Sequence, residues 1–75
     1  MYSDEIRRRL RAAPFVPFTV HLSDGAFFAI PHTDFAMLTP TGRTLYVALE
    51  NAPVQTLNVD HIVRIGSPAD AEVGA

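Results

Sequence analysis

Apolar residues fall along this chain in two periods. Between Ser3 and Ala13, Ile6, Leu10 and Ala13 recur at i, i+4 and i+7, one narrow stripe of a helix. Asp4 and Glu5 occupy its first turn, where the helix dipole favours negative charge, and Ser3 is expected as the N-cap. Pro14 ends the helix, because the residue before a proline avoids the α region. Pro17 keeps the chain extended, and from Phe18 the period drops to two. Phe18, Val20 and Leu22 point one way, Thr19 and His21 the other.

Turn residues then cut the rest into short strands. Asp24-Gly25 predicts a two-residue hairpin loop of type I′. That loop sets Ser23 opposite Ala26, Leu22 opposite Phe27, His21 opposite Phe28, Val20 opposite Ala29 and Thr19 opposite Ile30. The expected core face is Phe18, Val20, Leu22, Phe27 and Ala29, which leaves Phe28 and Ile30 on the other side. Pro31-His32 is a bend, and Phe35 to Met37 a short strand with Phe35 plugging the core. Thr39-Pro40-Thr41-Gly42 is a second turn, read as a three-residue loop with a bulge. It sets Met37 across from Leu45 and Phe35 across from Val47, with Ala36, Leu38, Tyr46 and Ala48 on the opposite face. Asn51-Ala52-Pro53 is a loop, Val54 to Val59 a strand, Asp60-His61 a corner, and Ile62 to Ile65 the last strand. Residues 66–75 carry no periodicity and read as a frayed tail.

The pattern predicts a mainly β chain: one N-terminal helix, then a small five-stranded antiparallel barrel, forming a single domain over residues 1–65. With 75 residues and no Cys, this domain has neither disulfide nor thiolate metal site to staple it. Self-association is the expected remedy. The apolar outer face assigned to Phe28, Ile30, Leu38 and Tyr46 is the expected contact surface, for a second copy or another protein. The alternative cover for that face is the chain's own helix.

Charge narrows the partners. Arg7, Arg8, Arg9 and Arg11 outweigh Asp4 and Glu5, leaving the first eleven residues at +2 within a chain of net charge −2. All six basic residues are Arg. Arg7, Arg8 and Arg11 lie together on a helical wheel and could meet phosphates, although an acidic chain is not the profile of a nucleic-acid domain. The opposing reading is a solvated face with Asp4–Arg8 and Glu5–Arg9 pairs. The charged N-terminus and the lack of a long apolar run predict a cytoplasmic protein with no membrane span.

Candidate chemistry is sparse. His32 and Asp34 share one loop, and His21 or His61 could complete a metal or proton site, but their spacing matches no ligand pattern. Asp24 is explained by its turn, as are Gly25, Pro40 and Gly42. There is no phosphate-cradling Gly-rich loop, no nucleophile elbow and no carboxylate pair in a shared apolar setting. The expectation is a non-enzymatic interaction module without metal or other cofactor.

Three stretches carry a resemblance. PFVPFTVHLSDG from Pro14, IPHTDF from Ile30 and LTPTGRTLYV from Leu38 resemble a family of small uncharacterised bacterial proteins. That family has a Pro-Phe-x-Pro-Phe entry, a Leu-x-Asp-Gly turn, a His-Pro-x-Phe-like segment and a Pro-x-Gly-Arg turn. The likeness covers Leu10 to Ile65, departs at Thr33, and implies a fold and a bacterial origin but no activity. A looser resemblance is to Sm-like RNA-binding rings, with VHLSDG, DFAML and VDHIVRI at their conserved segments. It implies an Sm-like or SH3-like barrel and, as an alternative function, RNA or single-stranded nucleic-acid binding. Leu38 stands where those rings hold a base with Asn, and Asn58-Val59 where they have Arg-Gly. Only Asp34 and Asp60 carry over.

Overall fold

The computed structural model describes residues 2–67. Helix α1 (Ser3–Arg11) is followed by six strands: β1 (Phe18–Leu22), β2 (Phe27–Ile30), β3 (Ala36–Leu38), β4 (Thr44–Leu49), β5 (Ala52–Asn58) and β6 (Ile62–Gly66). Two single 3-10 turns, Thr33–Phe35 and Val59–His61, precede β3 and β6. The strands form two antiparallel three-stranded sheets, ordered β2-β1-β6 and β3-β4-β5. No ladder joins the two sheets among the described residues, so the expected five-stranded barrel is not closed. The chain leaves the extended conformation at the Thr33–Phe35 turn, between β2 and β3, and Pro31 brings no amide to a ladder there. The expected tail falls mostly on residues 68–75, outside the described residues, while Gly66 belongs to β6.

Helix α1 begins one residue earlier than a Ser3 cap requires. Tyr2 holds the N-cap position without a side-chain cap, and its hydroxyl instead donates to the Val63 carbonyl at 3.1 Å. Ile6 is fully buried and Leu10 packs against the core. Ala13 lies beyond the helix and is exposed. Phe15 takes its place, packing on the core with its ring 6.0 Å from that of Phe18. At the other end, the Thr33 hydroxyl donates to the Leu10 carbonyl at 2.9 Å, satisfying one of the acceptors a helix C-terminus leaves free.

Both hairpins differ from expectation by one residue. In the first, the Gly25 amide donates to the Leu22 carbonyl at 3.0 Å and the Leu22 amide to the Ala26 carbonyl at 2.8 Å. Gly25 has φ +92°, and among the described residues no non-glycine residue has positive φ, so a type I′ loop is excluded. The loop is the three residues Ser23 to Gly25, a type I turn closed by a left-handed glycine. The Asp24 carboxylate accepts from the Ala26 amide at 2.9 Å. The second loop repeats this design. The Gly42 amide donates to the Thr39 carbonyl at 2.8 Å, Gly42 has φ +75°, and Thr39 pairs with Thr44 around the four residues Pro40 to Arg43.

One extra residue per loop reverses the faces. Phe18 pairs with Ile30, Val20 with Phe28 and His21 with Phe27. Leu38 pairs with Leu45, Met37 with Tyr46 and Ala36 with Val47. Phe27 and Ala29 are therefore outside, while Ile30 is fully buried and Phe28 packs on the core. Met37 is outside, and Leu38 and Ala36 face in. Phe35 is half-buried in its 3-10 turn, lines a groove and plugs no core. The core unites both sheets: Phe18, Val20, Ile30 and Ile62 from one, Leu45, Val47 and Leu57 from the other, with Ile6 and Val59.

Candidate interaction surfaces

The outward row of the β3-β4-β5 sheet is set by register. Met37 pairs with Tyr46, and Tyr46 with Thr56, so the three side chains stand side by side across three strands. Val54 lies two residues from Thr56 on the same face of β5. Met37 is 59% exposed and Val54 57%. Inward-facing Leu45 and Val47 lie either side of Tyr46 and are fully buried, which fixes β4's phase. An apolar outer face therefore exists, but of the four residues expected on it only Tyr46 belongs there. Ile30 is core, and Phe28 and Leu38 are half-buried against it. Met37 takes the place expected for Leu38.

The outward face of the other sheet is mixed. Phe27, His21 and Arg64 form one row across β2, β1 and β6. The Arg64 Nη2 donates to His21 Nε2 at 3.2 Å, and the His21 and Phe27 rings lie 5.8 Å apart. The next row is Ala29, Thr19 and Gly66. Thr19 is fully buried, and its Oγ1 has no hydrogen-bond partner among the described residues.

The arginines of α1 separate into different roles. Arg9 bonds Glu5 at 3.0 Å, and its guanidinium sits 5.5 Å from the centre of the Phe18 ring. Arg7 donates to the Pro40 carbonyl at 3.4 Å, against the second turn. There Gly42 approaches the helix so closely that an added Cβ would lie 3.1 Å from Ser3 Cβ and 3.3 Å from Arg7 Nη2. Arg8 and Arg11 are exposed, and neither has an ion pair among the described residues. Arg7, Arg8 and Arg11 thus do not act as one free cluster. The expected Asp4–Arg8 pair does not form.

The histidine loop is structural in its contacts. The His32 carbonyl accepts from the Phe35 amide at 3.0 Å, and the two rings lie 6.0 Å apart. Asp34 is exposed. Among the described residues, no three His, Cys, Asp or Glu side chains come together as a metal site. Asp60 lines a polar cleft of about 370 Å³ with Arg43, Thr44, Thr56 and Asn58. The Asn58 carboxamide oxygen accepts from the Asp60 amide at 2.9 Å, and the Val59 amide donates to the Arg43 carbonyl at 2.9 Å. A groove of about 610 Å³ runs beside α1 between Glu5, Arg8, Arg9, Ala12 and Val16.

No helix among the described residues is long and apolar enough to cross a membrane. Compared with protein-family models, curated proteins and solved structures, the chain matches none.

Proposed function

We propose that this chain is a non-enzymatic interaction module of the cytoplasm that self-associates through the outward face of its β3-β4-β5 sheet. The observation that carries the reading is the row Met37, Tyr46, Thr56 with Val54 beside it: two apolar side chains, Met37 and Val54, more than half exposed on one sheet face. A small domain without Cys gains most from covering such a face, because each apolar side chain removed from water contributes about 1.5–3 kcal/mol when fully buried. The strand sequence supports an Sm-like or SH3-like relationship. The β2-β1-β6 and β3-β4-β5 orders are those that a five-stranded Sm-like or SH3-like order would give if its second strand were interrupted between β2 and β3, and this supports the reading. A native mass spectrum of the protein purified from its own cells tests the function. A homo-oligomer without nucleotide supports the module, and a bare monomer at all concentrations ends it.

The second reading, RNA or single-stranded nucleic-acid binding, is favoured by one observation: Arg8 and Arg11 project from α1 without carboxylate partners among the described residues. It requires binding that weakens as salt rises and is lost in Arg8→Ala/Arg11→Ala. Equal retention of nucleic acid by that variant, or none at low salt, removes it.

A further inference from the structure

An irregularity in β6 decides which way an arginine points. Leu22 pairs with Ile62, and the residue before it on β1, His21, pairs with Arg64, so Val63 is an extra residue on β6. Ile62 is buried in the core, and strict alternation from it would turn Arg64 inward. The bulge shifts the phase: Arg64 stands outward beside His21, and Ile65, opposite Val20, packs on the core. The Val63 carbonyl accepts from the Tyr2 hydroxyl at 3.1 Å, which ties the bulge to the start of α1.

Arg64 is thus positioned without being neutralised. Its Nη2 donates to a ring nitrogen, His21 Nε2, at 3.2 Å, and it has no carboxylate partner among the described residues. No outward position of β1, β2 or β6 is acidic, and Asp24, in the loop at one end of the face, has its carboxylate on the Ala26 amide. Apolar surface flanks the guanidinium: Val63 beside it is 54% exposed, and Phe27 across the row is 40% exposed. An uncompensated Arg set among exposed apolar and aromatic side chains has the composition of a contact with protein. A nucleic-acid face needs several phosphate contacts, and this one holds one Arg in a chain of net charge −2. We propose that the outward β2-β1-β6 face docks a segment of a partner protein that carries a carboxylate for Arg64 beside an apolar side chain for Phe27 and Val63. The proposal rests on neither the Met37–Tyr46–Thr56 row nor the α1 arginines. The two sheets turn their outward faces away from a shared core, so self-association and this docking do not compete.

The test pans a random peptide library, displayed on phage, against the full wild-type chain. It should enrich sequences with Asp or Glu next to an aromatic or aliphatic residue. An enriched peptide, made synthetically, should bind Arg64→Ala about tenfold or more weakly. Phe27→Ala should weaken it as well, while Met37→Glu and Arg8→Ala/Arg11→Ala bind it as the wild type does. Arg64→Glu should abolish binding, and exchanging the peptide's carboxylate for Lys should restore it, which also shows that this variant is folded. The proposal is overturned by a library that enriches nothing, by enriched peptides that lack an acidic residue, or by peptide binding that Arg64→Ala leaves unchanged. Retention of a single-stranded oligonucleotide that Arg64→Ala abolishes overturns it too, since the occupant is then nucleic acid.

Discussion

Phe18 pairs with Ile30 across the first hairpin, and both side chains are fully buried. That pairing sets the phase of β2 and sends Phe27 and Ala29 outward. A β-strand with apolar residues in both phases has no preference of its own, so the loop decides.

The register gives unequal costs for two neighbouring aromatic and aliphatic positions. Ile30→Ala should destabilise the domain by about 2–5 kcal/mol, the range for emptying a packed core site. Phe27→Ala, at a side chain 40% exposed, should cost about 1 kcal/mol or less. Urea unfolding of the two variants checks the order. A larger loss for Phe27→Ala would mean that the hairpin closes on the shorter loop.

The two left-handed glycines differ in what surrounds them. An added Cβ at Gly25 meets nothing within 4 Å, whereas at Gly42 it meets Ser3 Cβ at 3.1 Å and Arg7 Nη2 at 3.3 Å. Gly25→Ala should therefore cost only the conformational strain, about 1–2 kcal/mol. Gly42→Ala adds displacement of α1 from the second turn, so its cost should exceed that of Gly25→Ala by about 1 kcal/mol or more. Equal unfolding midpoints would show that the helix does not seat on the turn.

Thr19 buries a hydroxyl that no partner among the described residues satisfies. Thr19→Val keeps the branched shape and removes the unmet polar group, whose burial costs about 1–3 kcal/mol. Thermal unfolding should show a gain in stability of about 1 kcal/mol, and a loss would reveal a hydrogen bond to a buried water at Oγ1.

The helix, both turn sites and the positions of most strands were legible in the sequence, because they rest on local signals. Pro14 stops a helix and glycine marks a reversal, whatever surrounds them. The faces were less legible. Phe27-Phe28 and Met37-Leu38 each offer an apolar residue in either phase, so the pattern could not correct a loop one residue too short. The useful signal was Leu45 and Val47 flanking Tyr46 on β4, an alternation with one polar-tipped residue between two aliphatic ones. The two-sheet arrangement was hidden for another reason: the Thr33–Phe35 turn draws on a tertiary contact, the Thr33 hydroxyl on the Leu10 carbonyl. The separate surroundings of the arginines are not legible in the sequence, because the wheel shows direction but not the Pro40 carbonyl that engages Arg7.

Self-association through the Met37–Tyr46–Thr56 row is tested most directly by sedimentation equilibrium of the wild type beside Met37→Glu. Met37 is outward and 59% exposed, so a charge there leaves the fold intact and places an unpaired carboxylate in the contact. The expected result is a wild-type mass that rises with concentration and a Met37→Glu mass that stays at one chain, with equal unfolding midpoints measured at high dilution. A wild type that remains a monomer throughout, or a Met37→Glu variant that associates as the wild type does, would contradict it.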